Sequence, residues 1–214
     1  MNRRTGCALG AVALALGMAG RAPAATLNFN CITNNSSGTD CTIGEAQLAV
    51  DVTDPGGGQV LFTFTNSGTD PSSLADVYFD DGSLLGISSI DNSDPGGVSF
   101  NPLATPADLP GGNMVSPSFV TSQGFSADSN PPVEPNGVNP GESLGITFNL
   151  LPGQTFADVL ADLANGGLRI GLHVQAFADG NSESFVNAPV PEPTSIILIG
   201  SLAGLGLIAR RRRG

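Results

Sequence analysis

His173 is the only histidine in a chain of 214 residues. An imidazole that activates a nucleophile needs a serine or cysteine held within hydrogen-bond reach. No Gly-x-Ser-x-Gly elbow, HExxH helix or phosphate-binding Gly-Lys-Ser/Thr loop marks such a partner here. His173 falls on an alternating apolar stretch, so a hydrogen-bonded structural or surface histidine is expected. Paired carboxylates can hydrolyse glycosides, but tryptophan is absent and Tyr78 is the only tyrosine, which leaves no aromatic platform for a sugar ring. The expectation is a protein with no catalytic residues and no cofactor, that is, not an enzyme.

Hard oxygen ligands are the more plausible chemistry. Asp76, Asp80 and Asp81 stand near the end of one expected strand, and Asp91 and Asp94 flank the next turn. Loop carboxylates of this kind suit Ca²⁺. The run 91–96 nevertheless departs from an EF-hand loop, because Pro95 stands where an oxygen-bearing side chain belongs. Acidic turns facing water are therefore expected and no metal site is assigned. A calcium- or carbohydrate-binding extracellular module is kept as an alternative.

Cys7 lies in a segment expected to be removed, which leaves Cys31 and Cys41 as an even pair. In an exported domain that pair is expected to form a disulfide. The spacing suits neither a zinc site nor a CxxC redox motif.

The basic residues are all arginine, and of the 8 only Arg169 lies between Arg21 and Arg210. All of the 19 acidic residues except Glu192 fall within residues 26–188. A surface so strongly negative repels nucleic acid and anionic lipid, both of which need a positive face. DNA and RNA are thus excluded as partners.

The termini carry export logic. Arg3 and Arg4, an apolar stretch over 7–20, and the small residues Ala22-Pro23-Ala24 make residues 1–25 a secretory signal peptide, read by the Sec pathway and cleaved after Ala24 or Ala25. At the other end, Pro191-Glu192-Pro193 is stiff and extended because proline restricts both itself and its predecessor. Residues 194–209 are then almost wholly apolar, though shorter than the ~20 residues that usually span a bilayer. Snorkelling arginines make up such a difference. Arg210, Arg211, Arg212 and Arg213 follow and set a cytoplasmic end.

This order of Pro-Glu-Pro, short apolar helix and terminal arginine cluster resembles the PEP-CTERM sorting signal of Gram-negative bacteria. The resemblance covers residues 189–214. It implies recognition by the membrane transpeptidase exosortase, cleavage near Pro191, Glu192 and Pro193, and delivery to the outer surface, often beside exopolysaccharide. A plain membrane-anchored protein without tail processing is the alternative.

Residues 26–188 then form one acidic domain. Strands are expected at 59–65, 74–80, 145–150 and 168–177, and less strongly at 46–52 and 84–90, from period-two alternation and β-branched or aromatic content. Turn signals such as Asp54-Pro55-Gly56 separate them. Phe156, Val159, Leu160 and Leu163 give one helical stripe, with Thr155 and Asp158 at its start and Gly166-Gly167 at its end. The proline-rich stretch 101–139 reads as an excursion pinned onto the sheet. The fold class expected is mainly β: an antiparallel β-sandwich or jelly roll with one short helix, between a signal peptide and a single transmembrane helix. The function expected is that of an exported, non-enzymatic surface or matrix protein, with an inner-membrane intermediate and a final place at the cell surface or outside the cell.

Overall fold

A computed structural model describes residues 24–36, 38–80 and 82–188. The expected signal peptide, apart from Ala24 and Ala25, and the whole expected transmembrane tail lie outside these residues. The strands are β1 (Ala24–Cys31), β2 (Leu48–Thr53), β3 (Gln59–Asn66), β4 (Ser73–Asp80), β5 (Leu84–Asp91), β6 (Phe100–Pro102), β7 (Ser126–Ser129), β8 (Ser143–Leu150), β9 (Arg169–Gln175) and β10 (Glu183–Asn187), with strict alternation of burial in β3 and β8.

All ten belong to one antiparallel sheet, ordered β5-β8-β3-β2-β1-β10-β9-β4-β7-β6. β1 is the hinge of this arrangement. Its first half, from Ala24 to Asn28, pairs with β2, and its last three residues, from Phe29, pair with β10. The two outer strands approach each other where Asn92 bridges them. Its Oδ1 accepts from the Phe100 N–H at 2.8 Å and its Nδ2 donates to the Phe100 carbonyl at 3.0 Å. The mainly antiparallel β character matches the expectation. The two separate sheets of a sandwich or jelly roll are replaced by a single nearly closed sheet, because β1 is shared by both halves.

The enclosed core is phenylalanine-rich. Phe79 of β4 meets Phe148 of β8 and Phe62 of β3 edge-on, with ring centroids 4.6 and 5.1 Å apart. Such edge contacts add roughly 0.5–1.5 kcal/mol per pair beyond area burial. Leu27, Val50, Ile146, Ile170, Leu172 and Phe185 complete the apolar filling at near-zero exposure.

The expected helix is α3 (Phe156–Asn165). Its start is a capping box in which the Thr155 N–H donates to Asp158 Oδ2 at 2.7 Å, and Gly166 closes it in the left-handed conformation at φ 81°. Phe156, Val159 and Leu163 enter the core.

Two further helices correct the expectation of one. These are α1 (Thr39–Gln47) and the single turn α2 (Val133–Asn136). α1 also takes Ala46 and Gln47 from the strand expected at 46–52, which begins at Leu48.

The excursion is pinned as expected. Leu109 and Phe119 pack with Tyr78 and Val186 on the outer sheet face. A Cβ on Gly171 of β9 would stand 2.7 Å from Leu109 Cδ2, so the bare backbone at that position is what lets the strap lie flat. Within the excursion β6, β7 and α2 form, which the proline content had hidden.

Candidate functional site

β10 lies between β1 and β9, paired to both. The Ala188 N–H donates to the Asn28 carbonyl at 2.9 Å. β10 ends at Asn187. Pro191, Glu192, Pro193, the span 194–209 and Arg210, Arg211, Arg212 and Arg213 lie outside the described residues. Among those described, no helix is long and apolar enough to cross a membrane. At the other end Ala24 and Ala25 open β1 opposite Thr53 and Val52. Cleavage at either alanine would spare Leu27 and Phe29, which anchor the strand in the core.

Cys31 and Cys41 are joined by a disulfide, with Cα atoms 5.3 Å apart. The bond ties the end of β1 to the first turn of α1. Beside it lies Glu183, fully buried. One of its oxygens accepts from Thr33 Oγ1 at 2.6 Å, and the other from the N–H groups of Asn35 and Ser36 at 2.7 and 3.0 Å. Cys31, Cys41 and Glu183 are the one trio of His, Cys, Asp or Glu at metal-ligand spacing among the described residues. The sulfurs are bonded to each other, so no thiolate is offered.

Next to this cradle Asp40, in the first turn of α1, is 3% exposed. Burial, followed by the carboxylates of Asp179 and Glu183, holds its carboxyl above the ordinary carboxylate range, while the Ser36 hydroxyl pulls the other way. Asp179 itself is held low, chiefly by the Asn181 N–H, which reaches its Oδ1 at 3.0 Å.

The histidine has a partner that the sequence did not mark. His173 Nδ1 lies 2.9 Å from Asp76 Oδ2. Register places Ser184, His173, Asp76 and Asp128 side by side across β10, β9, β4 and β7. The residue types are those of a hydrolytic row, yet no hydrogen bond joins Ser184 to the imidazole, and Ser184 is 1% exposed. Asp128 is pushed up to about 6, by burial first and then by the Asp76 carboxylate, with His173 opposing. Tyr78, buried against the same acids, is pushed well above its usual value and donates to the Pro106 carbonyl at 3.0 Å as a neutral phenol.

The described aspartates weighed for calcium stand in three separate settings. Asp76 faces His173, and Asp80 holds Arg169 in an ion pair. Asp94 accepts from the Gly96 N–H at 2.8 Å and from Ser143 N and Oγ at 3.0 Å, and these bonds keep its carboxyl below the usual range. Asp91 accepts from the Ser93 N–H at 3.0 Å. Both acids border a cleft of about 300 Å³ floored by Leu61, Thr63 and Gly145. Asp81 lies outside the described residues.

Against this geometry, the family model of the PEP-CTERM protein-sorting motif matches residues 189–213. No curated protein and no solved structure matches the chain. The chain therefore carries a C-terminal PEP-CTERM sorting signal, beginning one residue after Ala188. The signal implies an exported protein that passes the membrane and is handled by an exosortase.

Proposed function

We propose that this chain is a non-enzymatic surface or extracellular-matrix protein of a Gram-negative cell, delivered by its sorting tail and associated with exopolysaccharide. In this reading residues 194–209 hold an inner-membrane intermediate and Arg210–213 stay on the cytoplasmic side. Exosortase acts near Pro191, Glu192 and Pro193, and the acidic β-domain is the mature product. The observation that carries the reading is the sorting motif at 189–213, following directly on a sheet whose last strand ends at Asn187.

The absence of enzymatic activity is supported by the state of the row across the outer face. Asp76 holds His173 from one side, Ser184 makes no bond to its ring, and the strap covers the neighbouring surface. A general base without an exposed nucleophile performs no acyl transfer.

Replacing Pro191, Glu192 and Pro193 with alanine is expected to retain the protein in the membrane fraction with an unchanged tail. Release indistinguishable from the natural sequence would remove the sorting role. Intact mass of the protein from the native host's extracellular fraction gives a second check. A mass that includes Arg210–213 would make the chain a plain anchored protein.

A further inference from the structure

We infer that Asp76 and Asp128 form a proton-operated latch, which fastens the beginning of the strap (103–122) to the sheet and releases it when both carboxyls are ionised. The register sets the pair. Asp128 of β7 stands directly opposite Asp76 of β4, which in turn stands opposite His173 of β9. Like charges so placed on adjacent strands repel. His173 Nδ1 takes Asp76 Oδ2 at 2.9 Å. Asp76 Oδ1 is buried, and no other described group donates to it. A bond between the two carboxyls therefore needs a proton, which Asp128 carries.

The strap begins on the same short strand. The Leu103 N–H donates to the Ser126 carbonyl at 2.8 Å, and the Ala104 N–H to Ser126 Oγ at 2.9 Å. The Thr105 N–H donates to the Asp128 carboxyl itself. One residue on, the Pro106 carbonyl accepts from Tyr78. Repulsion that drives β7 from β4 thus acts on three successive strap amides. The far end is fixed separately, by Arg169 on the Pro117 and Ser118 carbonyls. Beneath the strap lies an apolar cluster in which Tyr78 and Val186 pack with Leu109 and Phe119. Lifting the first residues of the strap uncovers the edge of that cluster.

The sign of the switch follows from what surrounds Asp128. β4 contributes Asp76 and the neutral Tyr78, β9 contributes His173, and the strap contributes Asp108. β6 places the neutral Asn101 opposite. The Thr105 N–H and His173 favour the ionised carboxyl, but burial and Asp76 outweigh them and push it up to about 6. A lifted strap returns Asp128 to water and to its ordinary value of 3.8. Between these values the closed form binds more protons than the open one, so the latch is tight below about pH 4 and weakens as pH rises through about 6. It is independent of how the tail is processed.

The test is hydrogen exchange of the full chain in detergent, read by mass spectrometry and corrected for the chemical exchange rate at each pH. Protection of 103–108 is expected to fall about ten-fold from pH 5 to pH 7.5. At pH 7.5 it should lie below that of β8, because the opening is local. Asp128→Asn keeps a neutral donor at every pH and is expected to hold this protection constant within about two-fold. Asp108→Asn leaves the latch intact and should retain the fall. Should Asp128→Asn not fold, Asp76→Asn removes the facing charge and is expected to flatten the profile in its place. A natural chain without pH dependence, a fall retained in Asp128→Asn or Asp76→Asn, a fall lost in Asp108→Asn, or protection equal to that of β8 throughout would each overturn the latch.

Discussion

Gly44 on α1 lies directly beneath the ring of Phe185 on β10, so close that a Cβ at position 44 would stand 2.2 Å from Phe185 Cζ. Phe185 is fully buried and has no room to retreat. Alanine would ordinarily favour a helix interior over glycine by roughly 1 kcal/mol. Here overpacking outweighs that gain. Gly44→Ala is expected to destabilise the domain by about 1–3 kcal/mol in urea titration. Adding Phe185→Leu should recover part of the loss, and a strictly additive double variant would contradict the contact.

Asp128 gives the fold a defined response to pH. Its carboxyl is pushed up to about 6 in the folded protein, by burial and by Asp76. The unfolded chain loses that proton near its ordinary value of 3.8. Between these values the folded state binds more protons than the unfolded one, so this group's contribution to stability falls as pH rises from about 4 to 6 and stays low above. Asp76, Tyr78, Asp108 and His173 share the surroundings and persist in a variant. The melting temperature of Asp128→Asn, measured relative to the natural chain from pH 4 to 7.5, should therefore climb with pH. A constant difference would show that Asp128 does not titrate in this window.

Arg169 fastens the strap. Its guanidinium pairs with Asp80, donates to the Pro117 and Ser118 carbonyls at 2.7 Å each, and lies 5.4 Å from the centroid of the Phe119 ring. Lysine offers no planar fork for these directions. Arg169→Ala is expected to speed proteolysis within 103–122 several-fold in limited digestion, and Arg169→Lys to rescue it only in part. Cleavage at an unchanged rate would mean that Leu109 and Phe119 hold the strap by themselves.

What the sequence revealed follows from how each element is stabilised. β3 and β8 bury alternate side chains, and that periodicity is visible in one dimension. α3 shows an apolar stripe with both caps written beside it. α1 shows none. Its buried residues are Asp40, Gly44 and Gln47, and it is held by a ring passing over a glycine, a disulfide and a polar network. In that network Gln47 Nε2 reaches Asn66 Oδ1 at 3.2 Å and Ser72 Oγ at 3.1 Å. Such a helix has no signature until its partners are known.

The candidate sites were hidden for a related reason. Asp40 and Asp179 meet only because the adjacent strands β1 and β10 bring α1 to the turn before β10. Asp76 faces His173 through a register that shifts between Leu74 and Asp76, an irregularity no alternation pattern foretells. The sorting tail could be read directly because its recognition depends on local order: rigid prolines, an apolar run and a basic end.

The place of β10 has a mechanical consequence. Its end, next to the sorting segment, is flanked by hydrogen-bonded neighbours on both sides, and one of them, β1, is the strand that opens the domain. A pull applied at Asn187 along the axis of β10 would act on both of these ladders. It must shear two ladders at once, where a strand at a free edge would peel away one bond at a time. Resistance at that end of the domain would therefore depend on β1 as much as on β9.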